Sequence, residues 1–189
     1  LEEGVRIVVD CTGNFLDPNI SPEKGVPCLR GHLAAGALKV ICSAPFKSKA
    51  AVMEDNPDTI TMIYGINHLN YDPQKHHIIS AASCTTTGLA HMIKPLLEHK
   101  ETASIMTASM STIHAATNSQ SILDSVPKAG ASDLRKTRSV LNNIILSTTG
   151  VSKALELVMP EIKNIGFMAD SVRIPTNTVS LINLNVTFH

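Results

Sequence analysis

The first part of the chain alternates short, almost continuous apolar runs with polar loops. Residues 5–11 and 39–43 are rich in β-branched residues, which is typical of strands buried on both faces in a parallel sheet. Between them, the spacing of apolar residues at 29–38 predicts a helix. Residues 60–66 and 77–81 predict two further short strands. The pattern therefore predicts βαβ units that form a parallel sheet.

The second part of the chain has different periodicities. After Gly88, apolar residues recur at 89, 92, 93, 96 and 97, the spacing of an amphipathic helix. Residues 104–113 and 171–188 alternate apolar with small polar side chains, which is typical of antiparallel strands with one face in water. We therefore predict an α/β plus α+β fold, a parallel sheet followed by a mostly antiparallel sheet. The change of pattern puts the domain boundary between residues 82 and 83.

The amino-acid composition narrows the classes of molecule that the chain is expected to bind. The 189 residues are 43% hydrophobic, and 16 basic residues balance 16 acidic ones, so the chain can form one domain or two small ones. The scattered basic residues give no electrostatic argument for nucleic acid or an anionic membrane. No apolar run reaches the roughly 18 residues that cross a bilayer. We expect a small-molecule ligand, with no nucleic acid and no membrane as partner.

The cysteines and the chain ends add two expectations. Four cysteines in 189 residues show neither zinc-site spacing nor the density of a disulfide framework, so we expect no metal and a cytoplasmic location. The chain begins with Leu1 rather than methionine, and both its ends lie in strand-like patterns. We therefore expect it to be a piece of a longer protein.

Cys84 is the leading candidate for a reactive group. It lies between a predicted strand and a predicted helix, and the first turn of a helix stabilises negative charge such as that of a thiolate. Ser83, Thr85, Thr86 and Thr87 surround it with hydroxyl groups, which suit an anionic or carbonyl-bearing substrate. The alternative is that Cys84 is a small buried apolar residue, the commoner role of a cysteine taken alone.

Other candidates lie at the ends of predicted elements. His114 follows the strand predicted at 104–113, although a lone histidine is more often structural. Thr149 and Gly150 precede a helical pattern, where backbone N–H groups can bind an anion or a hydroxyl can simply cap the helix. Arg173 lies among apolar strand residues, where an arginine normally needs a carboxylate or phosphate partner.

Two loops are candidate ligand-binding segments. Thr12 and Gly13 follow the first predicted strand, and Ser43 and Ala44 follow the second. Ligands of open α/β sheets bind beyond the carboxyl ends of the strands, although ordinary turns are the commoner explanation for such residues. The chain contains no glycine-rich phosphate loop, so the pyrophosphate turn of any dinucleotide site would lie outside it.

Taken together, these residues resemble the phosphorylating glyceraldehyde-3-phosphate dehydrogenase family. The motifs that carry the resemblance are ASCTT at Cys84, IHAATNSQ at His114, DLRKTR, NNIILSTTG, VRIPTNTVS at Arg173, and the upstream VVDCTGNF and ICSAP. The resemblance covers nearly the whole chain. It implies the second half of a Rossmann-type NAD-binding domain at 1–82 and most of a catalytic domain at 83–189.

The resemblance also implies an activity and a set of site residues. Cys84 would be the nucleophile and His114 the general base in the NAD-dependent oxidative phosphorylation of glyceraldehyde 3-phosphate, with NADP not excluded as cofactor and a homotetramer as the assembly. The residues implied for the substrate phosphate are Thr117 and Arg173, and those for inorganic phosphate are Ser83, Thr85, Thr149 and Gly150. The residues implied for the cofactor cleft are Thr12, Gly13, Phe15, Ser43 and Ala44.

The chain departs from the family pattern at two places. Thr87 and Gly88 stand where the family usually has Asn and Cys, and neither position supplies the nucleophile or the base. Cys84 and His114 lie 30 positions apart, a few more than in the family, so we expect a strand extension or a bulge before His114. Two alternatives remain: a dehydrogenase of the four-carbon erythrose 4-phosphate, and a catalytically silent interaction module.

Overall fold

The protein is described by a computed structural model that covers residues 4–47, 56–127, 129–131 and 133–189. The chain divides into two compact units. The first comprises Leu1–His91 with Ala154–Pro160, and the second comprises Met92–Lys153 with Glu161–His189. Within these described residues, each unit contains one four-stranded sheet. The domain boundary between residues 82 and 83 stays a prediction.

The first unit contains a parallel sheet. Its strands and helix are β1 (Ile7–Asp10), α1 (Leu29–Ala34), β2 (Lys39–Cys42), β3 (Thr59–Thr61) and β4 (Ile78–Ser80). The strand order is β1-β2-β4-β3, and all three pairings are parallel. The predicted βαβ organisation and parallel sheet are therefore confirmed.

The core of the first unit lies between α1 and the sheet. Leu29 on α1 forms a buried cluster with Val40, Cys42 and Ile78 on the neighbouring strands. Burial of side chains of this size stabilises the fold by about 1.5–3 kcal/mol each. This packing explains why α1 lies on the sheet although it has only six residues.

Two strand predictions for the first unit are wrong in detail. Residues 5–11 were expected to form a strand buried on both faces, but Ile7 and Val9 are more than half exposed. Their side chains alternate with those of the partly buried Val8 and the buried Asp10, so one face of β1, an edge strand of the sheet, is exposed. The strand predicted at 60–66 ends at Thr61, because the Asn67 side chain accepts from the backbone of Ile63 and donates to the carbonyl of Thr61, which folds the chain into a turn.

The helix α2 (Cys84–Glu98) continues the chain after β4. It begins five residues before the first apolar residue of the pattern that predicts it, Leu89, because Ser83 supplies a side-chain cap to its first turn. A Ser Oγ at this position satisfies one of the N–H groups that has no partner inside the helix. The helix therefore begins at Cys84.

The second unit contains a mixed sheet. The elements that follow α2 are β5 (Ile105–His114), β6 (Ile145–Ser147), α3 (Val151–Val158), β7 (Gly166–Arg173) and β8 (Leu181–Phe188). The strand order is β6-β7-β5-β8. The outer pairings are antiparallel, whereas the central pairing of β5 with β7 is parallel. With the parallel sheet of the first unit, this confirms the α/β plus α+β fold class.

The parallel pairing of β5 with β7 corrects the expectation from alternation alone. Alternating apolar and polar residues report one buried face, but they carry no information about the direction of the neighbouring strand. The bulge expected before His114 has a counterpart in the structure: the register of β5 against β8 shifts between Ile105 and Thr107. Within the described ranges, no helix is both long and apolar enough to cross a lipid bilayer.

Candidate active site

Cys84 is an exposed thiol at the first residue of α2. Its Sγ lies 3.9 Å from the hydroxyl of Thr85. The preceding residue, Ser83, accepts from the backbone N–H of Thr86 at 3.1 Å and contacts the Thr86 hydroxyl at 2.7 Å. Cys84 therefore lies at the N-terminus of a helix beside the hydroxyl groups of Ser83 and Thr85, and helix N-termini are common binding positions for anions.

The junction that leads from β4 to Cys84 is held by buried hydrogen bonds. Ser80 is fully buried, and its hydroxyl donates to the carbonyl of Ala44 at 2.9 Å and accepts from the backbone N–H of Ala82 at 3.1 Å. Ala82 has a left-handed backbone with φ of 59°, a conformation that costs a non-glycine residue about 1 kcal/mol or more. Such strain is retained where the surrounding contacts enforce it.

The loops after β1 and β2 meet at the same edge of the parallel sheet. The backbone N–H of Ser43 donates to the carbonyl of Asp10 at 2.9 Å. Thr12 donates through both its backbone N–H and its hydroxyl to Asp10 Oδ1, at 2.8 and 2.7 Å. Gly13 has φ of 70°, and a Cβ built there would meet no atom within 4 Å. The backbone at this edge is therefore open to a ligand.

Asp10 is a residue of this edge that the sequence analysis missed. Its side chain is buried, and Oδ2 has no hydrogen-bond partner among the residues that the structure describes. Buried carboxylate oxygens are rarely left unsatisfied. The only signal in the sequence was an acidic residue at the end of an apolar run, immediately before Thr12 and Gly13.

Phe15 and Cys42 lie behind these loops. Phe15 packs against the core cluster, and its carbonyl lies 3.9 Å from the Cys42 Sγ. Burial raises the pKa of the Cys42 thiol, which favours its protonated, unreactive form. Phe15 also borders a cavity of about 380 Å³, whose other lining residues are Pro22, Gly25, Val26, Pro27, Cys28, Gly31 and His32.

In the second unit, the parallel register brings His114 and Arg173 together. They are the last residues of β5 and β7 and are paired in the sheet. The Nη1 of Arg173 contacts His114 Nδ1 and donates to the carbonyl of Ala115 at 3.1 Å. His114 Nδ1 lies 2.8 Å from the same carbonyl. Both side chains are half-buried, at the carboxyl end of two adjacent strands.

The remaining predicted residues of the second unit lie in loops. Thr117 is exposed, its backbone N–H donates to the Gln120 side chain at 3.2 Å, and its hydroxyl contacts that of Ser119 at 2.9 Å. Thr149 and Gly150 immediately precede α3, and the Thr149 hydroxyl accepts from the backbone of Val151 at 3.3 Å. Thr149 thus interacts with the first turn of α3, as an N-terminal cap does.

The positions of the candidate residues agree with a match between this chain and the model of a known protein family. Residues 83–189 match the family model described as the glyceraldehyde 3-phosphate dehydrogenase C-terminal domain. The chain belongs to the glyceraldehyde-3-phosphate dehydrogenase family. The resemblance inferred from the motifs around Cys84, His114 and Arg173 is therefore confirmed.

Individual members of the dehydrogenase family resemble almost the whole chain. Over 184 residues it is 42% identical to the glyceraldehyde-3-phosphate dehydrogenase of Geobacillus stearothermophilus, covering 97% of the chain and 47% of that relative. It is 43% identical over 186 residues to glyceraldehyde-3-phosphate dehydrogenase 2 of Streptomyces avermitilis, covering 98% of the chain and 48% of that relative. The chain thus spans about half the length of the curated relatives it matches.

The dehydrogenase family implies a nicotinamide cofactor, and the first unit is compatible with one. The buried Oδ2 of Asp10, which has no hydrogen-bond partner among the described residues, and the open backbone at Gly13 lie at the carboxyl edge of a parallel sheet, where such sheets bind nucleotides. Within the described part of the chain, no group of three or more His, Cys, Asp or Glu side chains is arranged to hold a metal ion.

Proposed function

We propose that this chain belongs to an NAD-dependent enzyme that oxidises and phosphorylates glyceraldehyde 3-phosphate to 1,3-bisphosphoglycerate. The observation that supports the proposal is the position of Cys84, an exposed thiol that begins a 15-residue helix beside hydroxyl groups. Family membership adds the aldehyde phosphate as the expected substrate.

In the proposed mechanism, Cys84 is the nucleophile. Its sulfur attacks the aldehyde carbon, so that a C–S bond forms and the C=O π bond breaks. The carbonyl oxygen takes up the proton that the thiol loses and becomes the hydroxyl of a hemithioacetal. The hydroxyl of Thr85, 3.9 Å from Sγ, and the N-terminal end of α2 favour the anionic sulfur that this attack requires.

His114 is the proposed general base. It takes the proton from the hemithioacetal hydroxyl as the carbon is oxidised to a thioester, a role that typically contributes 10²–10⁴-fold to the rate. The contacts of its Nδ1 with the Ala115 carbonyl and Arg173 hold the ring in one orientation. A fixed ring is what an efficient proton acceptor needs.

Two sets of residues are proposed to bind phosphate. Thr117 and Arg173 bind the phosphate of the substrate, since a guanidinium group suits a phosphate monoester. Inorganic phosphate attacks the thioester and releases the Cys84 thiolate with the acyl phosphate. The residues proposed to bind inorganic phosphate are Ser83, Thr85, Thr149 and Gly150.

NAD is the proposed cofactor, and the residues proposed to hold it are Thr12, Gly13, Phe15, Ser43 and Ala44. The chemistry that it supplies when bound is acceptance of a hydride. Asp10 positions Thr12 through the two hydrogen bonds to its Oδ1. We propose a homotetramer as the assembly, on the basis of family membership.

The test uses the full-length protein and two exposed cysteines. Reduction of NAD is measured with glyceraldehyde 3-phosphate and inorganic phosphate, and Cys84→Ser should lower the rate by at least about 10³-fold, because serine lacks the activated thiolate. Cys11→Ser is the matched control, since Cys11 is the other exposed cysteine, and it should retain the wild-type rate.

A second measurement separates a catalytic role from a structural one. Iodoacetamide should alkylate Cys84 much faster than Cys11 in the wild-type protein, and mass spectrometry of the peptides gives both rates. Full activity of Cys84→Ser would reject Cys84 as the nucleophile. Equal alkylation rates in a protein that does not reduce NAD would reject the proposal and favour a silent interaction module. A strong preference for erythrose 4-phosphate would reject only the three-carbon substrate.

A further inference from the structure

The contact between Arg173 and His114 constrains where the imidazole carries its proton. An arginine guanidinium donates hydrogen bonds and cannot accept them. The Nη1 of Arg173 contacts His114 Nδ1, so this contact is favourable only when Nδ1 is an acceptor without a hydrogen. In the arrangement described, a neutral His114 therefore carries its proton on Nε2.

The carbonyl of Ala115 favours the opposite tautomer of His114, in which Nδ1 carries the proton. It lies 2.8 Å from His114 Nδ1 and 3.1 Å from Arg173 Nη1. With the guanidinium in place, Nη1 has two hydrogens and can donate to both Nδ1 and this carbonyl. If the guanidinium moved away, a protonated Nδ1 could donate to the Ala115 carbonyl instead. The Ala115 carbonyl can therefore accept a hydrogen bond with either tautomer, from Arg173 in one case and from His114 in the other.

We propose that Arg173 is a positioning residue that sets the tautomer of His114, and that a phosphate monoester bound by Arg173 reverses it. The inference rests on the proposed function in taking Arg173 as a ligand of the substrate phosphate. A phosphate is a stronger hydrogen-bond partner for guanidinium than a neutral imidazole nitrogen is. A bound phosphate therefore competes with His114 Nδ1 for the N–H groups of Arg173.

The proton balance of this change is simple. Nε2 releases one proton to water and Nδ1 takes one proton from water, so the net charge of the imidazole is unchanged. The reversed tautomer donates from Nδ1 to the Ala115 carbonyl and leaves Nε2 with a lone pair. A nitrogen with a lone pair is what a general base requires. The substrate phosphate would therefore prepare the base for catalysis.

The direct test is nuclear magnetic resonance of the full-length protein labelled with ¹⁵N-histidine. Imidazole nitrogens with and without a hydrogen differ strongly in chemical shift, and spectra recorded over a series of pH values identify the neutral form of the ring. The ligand is glycerol 3-phosphate, which has the phosphate monoester but no aldehyde, and glycerol is the control. The His114 resonance is assigned by its loss in His114→Gln.

The expected result is a change of tautomer. His114 should carry its proton on Nε2 without ligand and on Nδ1 with saturating glycerol 3-phosphate, whereas glycerol should have no effect. In Arg173→Met, Nδ1 should carry the proton with or without ligand. Lys163→Gln removes one positive charge from an exposed position of the same unit and should behave as the wild type.

Two results would overturn the inference. One is a proton on Nδ1 in the ligand-free wild-type protein, which needs no variant to observe. The other is an unchanged tautomer on saturation with glycerol 3-phosphate. Either result, combined with NAD reduction that depends on Cys84, would reject this inference and leave the proposed function standing. A change of tautomer in a protein without that activity would reject the proposed function but support the role of Arg173.

Discussion

The two sheets bring candidate residues together by different physical means. In the first unit, Thr12, Ser43 and Cys84 follow strands that are neighbours and parallel, so their loops meet at one edge, and loop hydrogen bonds set their positions. In the second unit, His114 and Arg173 are themselves strand residues, 59 positions apart. Their contact depends on the register of the β5·β7 ladder.

This difference determines how each set of residues can be disrupted. A loop residue can shift when one side-chain hydrogen bond is lost, while the strands remain paired. A strand-end residue keeps its neighbour as long as the ladder keeps its register, because a slip by one residue turns every side chain to the opposite face. Three substitutions test this contrast, in order of decreasing effect.

Ser80→Ala should have the largest effect. It removes both hydrogen bonds of a fully buried hydroxyl and leaves the Ala44 carbonyl and the Ala82 N–H without that partner, which should cost about 3 kcal/mol in the free energy of unfolding. Urea denaturation measures the loss. The rate of Cys84 alkylation should also fall, because the segment between β4 and Cys84 loses the hydrogen bonds that hold it in place.

The control for this substitution is Ser21→Ala, which removes a hydroxyl that accepts a 3.3 Å hydrogen bond from Glu23 in an exposed turn. Its effect should stay below about 1 kcal/mol. Amide hydrogen exchange should quicken in β2 and β4 of Ser80→Ala but not in β5 and β7. Equal acceleration in both sheets would contradict the idea that each unit depends on its own contacts.

Thr112→Val should weaken the second unit by a smaller amount. Thr112 donates to Ser171 at 2.9 Å across the β5·β7 pair, and both residues are buried. The loss of this bond leaves the Ser171 hydroxyl without its donor and should cost about 1–2 kcal/mol. Urea denaturation measures the change, and the tautomer of His114 should stay as in the wild type because the ladder keeps its register.

A double-mutant cycle provides the control for the Thr112–Ser171 pair. Ser171→Ala alone removes the acceptor, and the double variant removes both hydroxyls. The double variant should lose less stability than the sum of the two single variants, because neither hydroxyl is then left without the other. Strict additivity would show that the hydrogen bond does not couple the two strands.

Arg30→Lys should have the smallest effect at neutral pH. Arg30 holds Asp58 through two hydrogen bonds of 2.8 and 2.9 Å and also donates to Asn56 and Pro18. A lysine cannot reproduce this bidentate arrangement of hydrogen bonds. Because the ion pair is partly exposed, we expect the free energy of unfolding to fall by only about 1 kcal/mol. Urea denaturation at several pH values measures it.

The pH dependence of this loss has a definite sign. The Arg30 guanidinium lowers the pKa of Asp58, so the ion pair stabilises the fold above the unfolded-state pKa of about 3.9. This contribution disappears as the pH falls through the lower pKa of the folded state. The difference between Arg30→Lys and the wild type should therefore shrink at acid pH, and a constant difference would exclude the ion pair as its source.

Much of the fold and of the candidate site could be predicted because the signals are local. The β-branched runs predicted the strands of the first sheet, and the flanking apolar and hydroxyl residues placed Cys84 at a strand-to-helix junction. The edge position of β1 could not be predicted in this way, since periodicity within a strand does not reveal whether a second neighbour exists.

The residues that were missed are those whose role depends on contacts distant in the chain. Nothing in the sequence distinguishes Ser80 from the other hydroxyl residues around Cys84, and its importance comes from a bond to Ala44, 36 positions away. Asp10 is similar, because only the structure shows that one of its carboxylate oxygens is buried without a partner among the described residues.

The sequence by itself determined most of the strands and helices, the family and the identity of the candidate residues, because periodicity and motifs are properties of neighbouring positions. The tertiary structure alone decided that β5 and β7 run parallel and that His114 therefore contacts Arg173. Strand direction and register are set by long-range packing and hydrogen bonding. A local pattern records which face of a strand is buried, but not which strand lies beside it.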